Sequence, residues 1–184
     1  MLEKEIKILE INKKEIVEKL LKLGAEKTFE GFIHDVYYDF PDDAAKNKMD
    51  ANGRMFRLRR KWEEHIYTIK NKRKEVRKAE WVIAKDEHET PISNIESFAK
   101  VLEKYGMEKI REKKKQRVSY KLDNMEFDFD VYEWIPELLE IEGPDGDTIQ
   151  SWVSKLELDS YEQMLGWSRK IFKHYGIEYL NFES

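Results

Sequence analysis

Two glutamates and a lysine stand at alternate positions near the start of the chain, in Glu3-Lys4-Glu5-Ile6-Lys7. Successive side chains of an extended strand point to opposite faces, so Glu3, Glu5 and Lys7 share one face at intervals of about 7 Å. Two carboxylates so spaced suit a hard divalent cation, and an ammonium beside them suits a phosphate oxygen. The same pentapeptide also serves as a solvated sheet face, and taken alone it reads that way. The rest of the chain decides between these readings.

The one-face pattern recurs along the chain. In residues 54–62, Arg57 and Arg59 share a face and Phe56 and Leu58 take the other. In 65–73, Lys70 and Lys72 lie with Thr68, opposite Tyr67 and Ile69; in 77–85, Glu80 alternates with Trp81. Lys115 and Arg117 share a face in 107–122. Glu126, Asp128 and Asp130 oppose Phe127, Phe129 and Val131, and Glu140 and Glu142 oppose Leu139 and Ile141. A solvated surface mixes signs. Here basic pairs sit on single strands, and acids collect on the first, seventh and eighth.

These residues must be positioned by strands. The chain reads as α+β: about eight strands with short antiparallel connections, predicting an eight-stranded antiparallel β-barrel with helices packed outside. Residues 25–40 form a long aromatic-rich strand with a bulge at Gly31. Helices are expected at about 13–23 (Asn12 as N-cap), from Pro91 and Ser93 to Tyr105, and over 147–158 and 160–175. Residues 41–52 read as a surface loop long enough to act as a lid. Trp62, Trp81, Trp134, Trp152 and Trp167 are read as core and barrel–helix packing. Helices are available to cover the apolar sides, so the charged sides can face inward around one small ligand. Charge in such an interior is costly unless paired or bound to ions. The cations Lys7, Arg57, Arg59, Lys70, Lys72, Lys115 and Arg117 nearly balance the acids Glu3, Glu5, Glu80, Asp128, Asp130, Glu140 and Glu142. A polyphosphate with its metal ions matches both sets.

The bulk numbers agree. The 184 residues suffice for one domain with a real core. Charged residues are 39% of the chain, yet 34 basic and 38 acidic residues leave a net charge of only -4, unlike a bulk nucleic-acid binder. The run Arg111-Glu112-Lys113-Lys114-Lys115-Gln116-Arg117 is split over two faces by alternation. The absence of cysteine excludes disulfides and thiolate sites. No signal-peptide run or membrane span is visible, so a cytoplasmic protein is expected, with no nucleic-acid or membrane partner. The four histidines lack zinc spacing, and there is no P-loop or dinucleotide fingerprint. An apolar barrel exterior allows a homodimer.

At these positions the sequence resembles the CYTH family, the triphosphate tunnel metalloenzymes, which include class IV adenylyl cyclases, thiamine triphosphatases and inorganic triphosphatases. The hallmark Glu-x-Glu-x-Lys is Glu3-Lys4-Glu5-Ile6-Lys7, followed in order by Arg57-Leu58-Arg59, Lys70, Lys115-Gln116-Arg117, Asp128 and Glu140-Ile141-Glu142. The resemblance implies that Glu3, Glu5, Asp128, Glu140 and Glu142 hold Mg²⁺ or Mn²⁺. It implies that Lys7, Arg57, Arg59, Lys70, Lys115 and Arg117 bind phosphate. The catalytic set would comprise Glu3, Glu5, Lys7, Arg57, Arg59, Glu140 and Glu142; Lys72, Glu80 and Asp130 on the charged faces are further candidate site residues outside that set. Many family members carry Glu-x-Glu on the fifth strand; here it is Glu80-Trp81-Val82, and only the first acid remains. The implied activity is metal-dependent hydrolysis of inorganic, nucleoside or thiamine triphosphate. The alternatives are cyclisation of ATP and noncatalytic polyphosphate or nucleotide binding.

Overall fold

A computed structural model describes residues 2–41, 54–72, 83–165 and 168–177, with side chains over 4–41, 56–69, 87–165 and 170–177. In order, the elements are β1 (Leu2–Ile8), α1 (Lys13–Lys22), β2 (Glu26–Asp39), β3 (Arg54–Lys61), β4 (Glu64–Lys72), β5 (Ile83–Pro91) and α2 (Ile95–Lys104). There follow β6 (Glu108–Leu122), β7 (Met125–Val131), β8 (Leu138–Gly143), α3 (Gly146–Lys155), β9 (Gln163–Met164) and α4 (Ser168–His174). The strands form one antiparallel sheet in the order β5-β4-β3-β2-β6-β7-β8-β1-β9. β1 pairs with β8 through Lys4–Ile8 and also with β5 through Leu2–Glu5. The expected antiparallel sheet with few helices is present. Among the described residues it carries nine strands, one beyond the expected eight.

Strand alternation sorts the side chains as anticipated. Ile6, Ile8, Phe127, Phe129, Leu139 and Ile141 lie in one apolar cluster with Ile16 and Leu20 of α1 and Ile149, Trp152 and Val153 of α3. On the same side of β3, Phe56 and Leu58 pack with Leu102 of α2. A third cluster joins Leu9, Tyr132, Ile135 and Leu138 to Ile171 of α4. Among the described residues no helix is long and apolar enough to cross a membrane.

Several boundaries differ from the sequence reading. β5 covers Ile83–Pro91, so the strand expected to end at Lys85 runs on to Pro91; residues 77–82 of that expectation, with Glu80 and Trp81, fall outside the described residues. Pro91 still pairs with Ile66, and the Ile92 N–H donates to the His65 carbonyl, holding the chain extended. α2 therefore starts at Ile95, where the Asn94 side chain accepts from the Ser97 N–H as an N-cap. Asn12 makes no such side-chain bond at α1. Ladder irregularities in β2 fall at Lys27/Phe29 and Tyr37/Tyr38, while Gly31 pairs regularly with Arg117. The helix expected over 160–175 is interrupted: the Leu9 N–H donates to the Glu162 carbonyl and β9 pairs with Lys7 and Ile8. Trp152 is buried as expected, but Trp62 and Trp134 are largely exposed; Trp81 and Trp167 lie outside the described residues.

Candidate functional site

Residues directly opposite in adjacent strands share a face of the sheet. Lys7 pairs with Glu140, Glu140 with Asp128, and Asp128 with Ser119. Arg117 pairs with Asp130 and with Gly31. Farther along, Asp35 lies between Lys113 and Arg59, and Tyr37 between Arg111 and Arg57; Arg57 pairs with Thr68, and Thr68 with Glu89. One continuous face of β1–β8 thus carries the charge. Glu5, Lys7, Asp35, Arg57, Glu87, Arg111, Lys115, Arg117, Asp128 and Asp130 on it are all buried.

Around β1, β7 and β8 the site is acid-rich. The Lys7 ammonium lies 2.8 Å from Glu5 Oε1 and 2.9 Å from Glu140 Oε2. Burial works against its charge, but Glu140 and Glu5 prevail and raise its pKa. Arg117 donates through Nε and Nη2 to the two oxygens of Asp130, at 2.6 Å each, and through Nη1 to Asp128 Oδ2. Its Nη2 also stands 3.5 Å from Glu140. Ser119 Oγ donates to the other Asp128 oxygen at 2.5 Å. Burial, reinforced by Asp130 and Glu140, raises the Asp128 pKa against the pull of Arg117. The Lys115 ammonium donates to Asp130 at 2.6 Å. Burial, with Arg117 and Lys113 adding to it, lowers its pKa to about 7.

Around β2, β3 and β6 the balance is basic. Arg59 grips Asp35 through Nε at 2.7 Å and Nη2 at 3.0 Å. Lys113 lies 3.6 Å from the same carboxylate. Burial penalises the Asp35 charge, yet Arg59 and Arg57 outweigh it and hold the carboxyl well below its ordinary range. Arg57 donates through Nη2 to Thr68 at 3.1 Å and to Glu87 and Glu89 at 2.9 Å each. Its buried Nε has no hydrogen-bond partner among the described residues. The Arg111 guanidinium stacks 4.3 Å from the Tyr37 ring centroid, and Lys113 and Lys115 lie near the Tyr132 ring.

The structure therefore brings together Glu5, Lys7, Lys115, Arg117, Asp128, Asp130 and Glu140, and separately Arg57 with Arg59. Glu142 is half-buried and pairs with Glu5. Glu3, Lys70 and Lys72 hold backbone register in β1 and β4, but their side chains lie outside those described, as does Glu80 altogether. Sequence reasoning missed Asp35, Tyr37, Arg111, Lys113, Ser119, Glu87 and Glu89. The spacing Arg111-x-Lys113-x-Lys115-x-Arg117 was a usable signal for two of them.

Among the described residues no group of three or more His, Asp or Glu side chains is placed to hold a metal ion. Donor chemistry still suits one at β1 and β8. Glu5 and Glu142 stand directly opposite, and like charges so placed favour a cation near them. Asp128 has both oxygens engaged by Arg117 and Ser119.

The CYTH domain family model matches residues 1–166. No curated protein matches the chain. Among solved structures, the chain is similar to a candidate adenylate cyclase from Vibrio parahaemolyticus, with 17% identity, TM-score 0.76 and coverage of 94% of this chain and 98% of that one. It is similar to a protein from Pyrococcus horikoshii, with 22% identity, TM-score 0.69 and coverage of 87% and 94%. A candidate adenylyl cyclase from Hippeastrum, described as having a dominant triphosphatase activity, matches with 13% identity, TM-score 0.64 and coverage of 98% and 100%. The structural likenesses show the fold, and the family match spans most of the sequence: the chain belongs to the CYTH domain family.

Proposed function

We propose that the protein is a metal-dependent triphosphatase whose substrate lies in a tunnel lined by the charged face of the sheet. The observation that carries this reading is burial on both sides of one layer. Phe127 and Phe129 are buried under helices, and Asp128 and Asp130, pointing the opposite way, are buried too. No helix cluster covers that second side among the described residues. The pairing of β1 with both β8 and β5 supports a sheet that curls back on itself and encloses its polar face.

In this reading Arg57, Arg59, Lys115 and Arg117, with Lys7 and Lys70, take the phosphate oxygens and hold the chain in line. Glu5, Glu140 and Glu142, with Glu3, would hold Mg²⁺ or Mn²⁺. A bound ion supplies Lewis-acid polarisation of a phosphoryl oxygen. The Lys7 ammonium stands between Glu5 and Glu140, in an ion pair with each, and would pass to the phosphate when the substrate arrives. Phosphoryl transfer needs mainly positioning and charge stabilisation, which is what these walls provide. The partner is a small triphosphate, with neither nucleic acid nor membrane, in a cytoplasmic setting; a homodimer is compatible with the fold.

The test is turnover of tripolyphosphate, ATP and thiamine triphosphate with Mg²⁺, Mn²⁺ or chelator. Hydrolysis to phosphate is expected only with metal. Arg57→Ala should lower it roughly 10²–10³-fold, as removing a transition-state donor does. Glu5→Gln should lower metal affinity or activity by at least about tenfold. The cyclase-like neighbours favour a second reading, which appearance of cyclic AMP and pyrophosphate from ATP would establish. Metal-independent binding without turnover would leave a noncatalytic binder.

A further inference from the structure

We infer that Phe29 and Trp62 form a stacking site for a planar aromatic end group on the triphosphate, such as a nucleobase; this rests on the triphosphate reading above. The two rings meet over Gly31. A Cβ built there would lie 3.2 Å from Phe29 Cζ and 3.4 Å from Trp62 Cε3, so the missing side chain is what lets the rings approach. Gly31 pairs with Arg117, and Phe29 pairs with Ser119, the residue whose hydroxyl holds Asp128. Adjacent strands are about 4.8 Å apart, so the aromatic pair adjoins the charged face.

Trp62 keeps 69% of its surface exposed while Phe29 is half-buried, so it is the Trp62 ring that offers open surface to a ligand. The exposure is imposed by the backbone. Lys61 pairs with Glu64, so Trp62 and Glu63 form a two-residue hairpin turn, and Trp62 has φ 55°. A bulky residue in that region is strained, and glycine is the residue that adopts it freely. The Lys61 ammonium lies over the Phe29 ring, 4.5 Å from its centroid, and Lys61 shares a cross-strand row with Ile33 and Lys115. Planar rings, a neighbouring ammonium and, in the same cross-strand rows, Lys115 and Arg117 match the chemistry of the base and phosphates of a nucleoside triphosphate. Tripolyphosphate would use only the inner part of this series.

Trp62→Gly removes the ring and relieves the turn, so lost affinity in this variant does not come from misfolding. ATP and tripolyphosphate binding should be measured by calorimetry with Mg²⁺ for the wild-type protein, Trp62→Gly and Phe29→Leu. The expected result is about tenfold weaker ATP binding in Trp62→Gly, a smaller loss in Phe29→Leu, and tripolyphosphate affinity within about twofold of wild type. Equal losses for both ligands, or no loss for either, would overturn the stacking site while leaving the triphosphate reading intact. Wild-type protein that binds neither ligand would overturn the triphosphate reading itself.

Discussion

Two buried aspartates flank β6 and behave in opposite ways. Asp35 on β2 is fully buried between Arg59 and Lys113, with Arg57 near, and its carboxyl is held far below the ordinary range. Asp128 on β7 is also buried and accepts from Arg117 and Ser119, yet burial and the neighbouring Asp130 and Glu140 push it upward. Identical side chains at similar depth thus report the charge balance of their walls. The wall of β2, β3 and β6 has cations to spare and suits an anion. The wall of β1, β7 and β8 has acids to spare and suits a cation. The proposed triphosphate with its metal would satisfy both.

The largest test of this contrast is neutralisation. Asp35→Asn leaves Arg59 and Lys113 without their shared counter-charge in a buried place, and should cost about 3–5 kcal/mol in denaturant unfolding. Asp128→Asn leaves Arg117 still held by Asp130 and Glu140, and should cost under about 1 kcal/mol. Equal losses would break the comparison between the walls.

The sequence displays the acid-rich wall more openly than the basic one. Asp128, Asp130 and Glu140 alternate with Phe127, Phe129, Leu139 and Ile141, so the period of two is plain. Asp35 sits in an aromatic run where Tyr37 shares its inward face, which hides the alternation. Glu87 and Glu89 lie in Asp86-Glu87-His88-Glu89-Thr90, a stretch with no apolar partner because His88 on the opposite side is exposed. The strand expected from the sequence ends at Lys85, short of Glu87 and Glu89. β9 has two residues, too few for any period, and only its hydrogen bonds to β1 reveal it. Charge balance within each wall depends on side chains from several strands, so no single stretch of sequence displays it.

Ligands sharpen the contrast at the next level. Tripolyphosphate at 100 times its dissociation constant should stabilise the fold by about 2.7 kcal/mol. Arg57→Ala should remove most of that gain while sparing stabilisation by Mg²⁺ or Mn²⁺. Glu140→Gln should do the reverse, and chelator should abolish the metal's share. Thermal unfolding of the three proteins checks this, and a loss of both effects in either variant would mean the two walls act as one.

A smaller effect concerns Lys115, between the walls. Burial and its cationic neighbours bring its pKa to about 7, so near pH 8 it is mostly neutral. An anion favours the charged form, so tripolyphosphate binding should take up to about one proton at that pH. Calorimetry in buffers of different ionisation enthalpy measures the uptake, and Lys115→Met should remove it.

The smallest effect is the pH dependence of the Asp35 contribution. Its folded pKa is depressed, so in the unfolded chain the carboxyl binds a proton at a higher pH than in the native protein. The stabilisation is complete above the unfolded value of about 4 and is lost as pH falls through the lower folded value. The stability difference between wild type and Asp35→Asn should therefore be constant from pH 5 to 7 and narrow below about pH 4. Asp128 has the opposite sign: its raised pKa makes the charged form a burden, so the wild-type protein should gain on Asp128→Asn as pH falls toward 4. Paired unfolding curves at pH 3.5, 5 and 6.5 separate the two slopes, and parallel curves for both variants would show that the walls carry the same charge balance.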